Sequence, residues 1–140
     1  MRCDSDRTVF RVRDLKIVSI ATPDLDGAVT TFRKNFEFPI RSAGVDGQDP
    51  TAHRVFLGIG PAEIEIVAPV NRDSPLTSFL ADRGAALYEL VLEVDDLEAA
   101  RAALCERGVE VALSSGVEGK RSAALDPRQT HGVRIRLVER

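Results

Sequence analysis

The chain ends in Gly132-Val-Arg-Ile-Arg-Leu-Val-Glu-Arg140, which alternates apolar Val133, Ile135 and Leu137 with Arg134 and Arg136. A period of two belongs to a strand that packs one face and turns charged side chains to the other. Three further segments do the same. If Gly60-Pro61 is a two-residue hairpin turn, Phe56 lies opposite Glu65 and Arg54 opposite Val67, so that Arg54, Phe56, Glu63 and Glu65 share a face. In Leu87-Tyr-Glu-Leu-Val91 the shared face carries Leu87, Glu89 and Val91. The opposite faces hold Val55, Leu57, Ile64, Ile66, Ile135 and Leu137, which suits packing under helices. Carboxylates held in a concavity can take and return protons, and guanidinium groups can hold an oxygen on which negative charge develops.

The elements that must position these groups follow from local signals. Leu15–Thr22 is a short apolar run with β-branched residues, and Pro23-Asp24 after it can start a helix, with Leu25, Ala28, Val29, Phe32 and Phe36 on one face. Residues 44–50 read as a loop, followed by the two hairpin segments, giving β, α, loop, β, β. Ser74-Pro75 forms a cap and first turn, and Gly84 a stop, for a short helix. The second half repeats the first: Glu89–Leu104 lies over Ile17–Phe32 at an offset of 72 (89 − 17), matching Asp96 to Asp24 and Ala100 to Ala28. Arg136 then falls on Glu65 at an offset of 71 (136 − 65). Chance similarity between two amphipathic βα units is the alternative, and the agreement in type and order of all elements favours duplication. Gly108 ends the second long helix, and Arg121–Pro127 and Gly132–Glu139 supply two more extended segments.

With 140 residues the chain can bury a core in one domain without a structural metal. The expected division is an N-terminal extension (1–13), a first module (14–70), a linker with a short helix (71–86) and a second module (87–140). A net charge of −3 gives no reason to expect nucleic acid, and no apolar run is long enough for a membrane helix. The charged start has no apolar core of a signal peptide, so the cytoplasm is the expected compartment, with Cys3 and Cys105 as reduced thiols.

The duplicated unit, the helix starts Pro-Asp-Leu-Asp-Gly-Ala and Asp-Asp-Leu-Glu-Ala-Ala, Ile-Glu-Ile-Val-Ala-Pro-Val, Asp-Ser-Pro-Leu-Thr-Ser-Phe-Leu before a glycine, and the final Gly-Val-Arg-Ile-Arg-Leu-Val-Glu together resemble the vicinal oxygen chelate (glyoxalase/bleomycin-resistance/dioxygenase) superfamily, and within it the methylmalonyl-CoA epimerase family. The resemblance runs from about Leu15 to Glu139. It implies an α+β fold of paired βαβββ modules forming an eight-stranded cup, with helices on the convex side and the site in the concavity. It also implies a divalent metal on four inward side chains: His, Gln or Glu, His, and Glu. Carried over position by position, these fall on Ile17, Glu65, Glu89 and Arg136.

Three of the four depart from that pattern. An isoleucine cannot coordinate, and a guanidinium offers no lone pair. His53 and His131 fall on no ligand position, so no metal and no other cofactor is expected. Arg136 would stand in for the cation and neutralise Glu65 and Glu89, which would otherwise resist ionising together. The competing reading is a structural ion network left from a metal site. On the catalytic reading Glu65 and Glu89 are the acid/base pair and Arg136, with Arg54, holds an enolate-like oxygen. Arg54, Phe56, Glu63 and Arg134 line the substrate, and Lys120 and Arg121 meet a CoA or carrier phosphate. The implied reaction is a metal-independent proton transfer, isomerisation or cyclisation beside a carbonyl, on an acyl thioester or polyketide-like acid of bacterial specialised metabolism. The expected assembly is a homodimer. A non-catalytic protein that sequesters a small molecule is the alternative, as is a partner subunit with a dead site. His53 is expected to face outward, Tyr88 to pack away from the site, and Cys105 to be a small core residue.

Overall fold

The computed structural model describes residues 10–45, 51–115 and 121–139. The chain divides into two units, one of Ile17–Tyr88 and one of the residues up to Lys16 together with those from Glu89 onward. The boundaries of these units fall inside two strands, β1 (Val12–Ala21) and β5 (Ala86–Val94).

In the first of these units β1 leads into α1 (Leu25–Phe36), β2 (Ile40–Val45), β3 (Ala52–Ile59), β4 (Ala62–Pro69) and α2 (Pro75–Arg83). The strand order is β2-β3-β4-β1, with β1 parallel to β4 and the rest antiparallel. The Asp24 side chain accepts from Gly27 N–H at 3.0 Å, which satisfies a free donor at the start of α1. Ser74 does the same for Leu76, and α2 stops at Gly84, whose φ of 72° suits a residue without a Cβ. Leu25, Ala28, Val29 and Phe32 of α1 pack on Val55, Leu57 and Ile66 as the periodicities predict. Phe36 departs from that face. It is exposed and stacks on Phe38, because α1 ends there with Glu37 in a left-handed conformation (φ 58°).

The other unit has β5 followed by α3 (Leu97–Glu106), β6 (Val111–Ser115), β7 (Arg121–Leu125) and β8 (Ile135–Glu139), ordered β5-β8-β7-β6. Asp96 caps α3 by accepting from Ala99 N–H at 3.0 Å, repeating the Asp24 cap. Leu97, Ala100 and Leu104 of α3 pack on Val94, Ala123, Ile135 and Leu137. Both halves are therefore βαβββ modules, an α+β fold with eight strands and three α-helices among the described residues. Local signals alone left out β2 and β6, the edge strands of these orders, which have one paired side and weak alternation. Residues 44–45 belong to β2 rather than to a loop. No helix among the described residues is long and apolar enough to cross a membrane.

Cys105 of α3 is disulfide-bonded, which corrects the expectation of a reduced thiol.

Candidate functional site

In the Ile17–Tyr88 unit the hairpin register places Phe56 opposite Glu65, Arg54 opposite Val67 and Gly58 opposite Glu63, as the Gly60-Pro61 turn requires. Alternation turns Ile64 and Ile66 under α1 and leaves Glu63 and Glu65 on the other face. Glu65 is buried, with 6% of its surface exposed, and a buried carboxylate needs partners for both oxygens. One oxygen accepts from Arg54 Nη1 at 2.7 Å and the other from the fully buried hydroxyl of Ser19, its register partner on β1. Glu63 lies opposite Ile17 and has Arg41 Nη1 3.8 Å from its carboxylate. The same Arg41 donates to the carbonyls of Gly60 and Ala62 and lies across Gly58, where a Cβ would approach its Nε to 2.4 Å, so the β3–β4 turn is tied to β2. Tyr88 packs edge-on against Phe79 in an apolar cluster with Ala21, Ala52, Val67 and Leu76, and His53 is exposed, both as expected.

In the other unit the parallel β5–β8 register sets Val91 against Arg136, and Leu92 against Leu137 under α3. Glu89 and Arg136 therefore lie on the face that α3 does not cover. Arg136 Nε donates to Glu89 at 3.2 Å and its Nη1 to Ser122 Oγ at 3.0 Å. Ser122 in turn lies 3.0 Å from Ser114 Oγ on β6. On the same side of β5, Glu93 accepts from Lys16 at 3.2 Å. Arg134 precedes β8 and is half-buried, and its carbonyl accepts from Leu90 N–H at 2.9 Å, extending the ladder. Arg121 starts β7, half exposed, and donates to Glu98 of α3 at 3.0 Å. Arg101 shares that carboxylate, and the guanidinium hydrogen bonds, Arg101's first, hold Glu98 below the ordinary glutamate range. Lys120 lies outside the described residues.

Two carboxylate–arginine pairs thus stand where the sequence reading placed one arginine between two carboxylates. Glu65 takes Arg54, and Arg136 takes Glu89. Ser19, Ser122, Lys16 and Glu93 were missed. Period two from Ile17 leads to Ser19, and from Glu89 through Val91 to Glu93, so those two were within reach; Ser122 required the β7–β8 register. The four positions that the resemblance gives to a metal do not suit one. They supply two carboxylates already bonded to arginines, an alkyl chain and a guanidinium, and among the described residues no three His, Cys, Asp or Glu side chains are grouped to hold an ion.

The model of the Glyoxalase/Bleomycin resistance protein/Dioxygenase superfamily matches residues 18–125. The human mitochondrial methylmalonyl-CoA epimerase is 30% identical over 136 residues, covering 94% of this chain and 77% of that one. The ethylmalonyl-CoA/methylmalonyl-CoA epimerase of Cereibacter sphaeroides is 30% identical over 130 residues, covering 89% and 96%. Among solved structures, methylmalonyl-CoA epimerase from Mycobacterium tuberculosis superposes with a TM-score of 0.81 at 28% identity, covering 91% of this chain and 88% of that one. The Streptomyces coelicolor epimerase has been solved in complex with 2-nitronate-propionyl-CoA and gives 0.81 at 25% identity, covering 92% and 95%. The chain belongs to the glyoxalase/bleomycin resistance protein/dioxygenase superfamily, and its relatives there include methylmalonyl-CoA epimerases.

Proposed function

We propose that this protein moves a proton at the carbon beside the thioester carbonyl of an acyl-CoA or related acyl thioester, without a metal. One of Glu65 and Glu89 takes the α-proton; the C–H electron pair becomes the enolate double bond and the carbonyl π pair moves to oxygen. The other carboxyl group, protonated from solvent beforehand, returns a proton to the opposite face of the carbon, and the proton taken by the first is released to solvent. Arg136, with Arg54, balances the charge on the enolate oxygen, since a fixed guanidinium in a partly dry site acts on developing charge without having to reorganise. Phe56, Glu63 and Arg134 are assigned to the acyl chain, whereas Arg121, turned to Glu98 of α3 on the helix-covered face with Ala123, is not assigned to a CoA phosphate. The observation that carries the reading is the pairing of each carboxylate with an arginine in a chain 30% identical to epimerases of acyl-CoA thioesters. Polyketide-like thioesters belong to the same chemical class, and the expected assembly is a homodimer.

The test is α-proton exchange in D2O, read by mass spectrometry, with methylmalonyl-CoA, ethylmalonyl-CoA and a polyketide-type β-keto thioester. Deuterium uptake above the buffer rate on at least one supports the reading, and uptake on none overturns it. Sequestration without turnover is the second reading. It is favoured by the bonding already made to Glu65, whose two oxygens both have protein partners, and binding of a thioester with no exchange would establish it.

A further inference from the structure

We infer that Ser122 is a positioning residue that fixes the plane of the Arg136 guanidinium, with Ser114 completing the support from the edge strand. The inference rests on the role just proposed for Arg136. A guanidinium has five N–H donors in one plane, and two bonds to different nitrogens fix that plane where one bond would leave rotation about it. Arg136 makes two such bonds: Nε to Glu89 on β5 and Nη1 to Ser122 on β7. Among the described residues Nη2 has no acceptor, and with a third of the side chain exposed that edge is available to a substrate oxygen. Ser122 can accept from arginine because it is the register neighbour of Val138 and sits one residue before Ala123, which faces α3. Its hydroxyl is therefore on the Arg136 side of the sheet. Ser114 is its cross-strand partner on β6 and its hydrogen-bond partner at 3.0 Å. β6, β7, β8 and β5 thus lead from Ser114 to Glu89 through three hydrogen bonds, in which the arginine joins Ser122 to Glu89. A serine accepts from the guanidinium without adding charge, so Glu89 is its only anionic partner among the described residues.

The experiment compares wild type, Ser122→Ala and Ser122→Thr as full chains. The Arg136 side-chain 15N–1H resonances report the bond directly and need no substrate. The expected result is separate, slowly exchanging Nη signals in wild type and the threonine variant, and a merged or at least tenfold faster exchanging signal in the alanine variant. In the exchange assay Ser122→Ala should lower kcat about tenfold with KM within about twofold, and Ser122→Thr should restore it. Identical Arg136 resonances in wild type and Ser122→Ala overturn the inference, as does a kcat lost equally in the alanine and threonine variants. If wild type shows the bonded signals and the alanine variant loses them while neither exchanges protons, the positioning stands and the proposed proton transfer fails.

Discussion

Arg54 and Ser19 separate a carboxylate that works from one that is merely held. Glu65 is buried, and removing one member of a buried pair leaves a charge without compensation. Arg54→Met is therefore expected to destabilise the fold by about 3 kcal/mol, read from urea denaturation midpoints. Glu65→Gln keeps shape and most hydrogen bonds and loses the titratable proton. If Glu65 transfers protons, that variant retains the fold and loses about 10²–10⁴-fold in exchange rate, and Glu89→Gln behaves alike. Wild-type exchange in both Gln variants would remove the carboxylates from the chemistry. The sequence placed Glu65 and Glu89 on the right faces because alternation is local. It gave Arg136 to both because pairing depends on register between strands, and only the Phe56–Glu65 register could be read from a turn.

At the scale of elements, the helix starts were legible and the strand edges were not. Asp24, Ser74 and Asp96 each cap a helix as read, since a side-chain acceptor beside free N–H groups acts within one turn. Asp96→Ala should cost about 1 kcal/mol in thermal or urea unfolding. β2 and β6 have few buried side chains to mark a period, and so were visible only through the resemblance. The link from α3 to β7 through Glu98 also has a pH signature. Hydrogen bonds from Arg101 and Arg121 hold Glu98 below its ordinary value, so its contribution is present above the ordinary glutamate range. It is lost as pH falls through the lowered value in the folded protein. The stability difference between wild type and Glu98→Gln, measured against pH, should be largest near neutrality and vanish in acid. It should also shrink with salt, because the group is about half exposed. A difference that grows on acidification would contradict the assignment.

For the whole molecule the repeat carries the account. The 72-residue offset that joins Ile17 to Glu89 also joins the Asp24 cap to the Asp96 cap, and both halves fold as βαβββ modules. The 71-residue offset joins Glu65 to Arg136, so one chemical position carries an acid in one half and a base in the other. That exchange of sign, with Ile17 at a third position, is why proton transfer is assigned here to carboxylates and guanidinium groups alone. The most direct measurement is kcat/KM for α-proton exchange on the best thioester, first after exhaustive chelation and then with added divalent cobalt, nickel, manganese or zinc. Equal values within about twofold are predicted in every case. Exchange that disappears on chelation and returns with one of these ions would contradict the account.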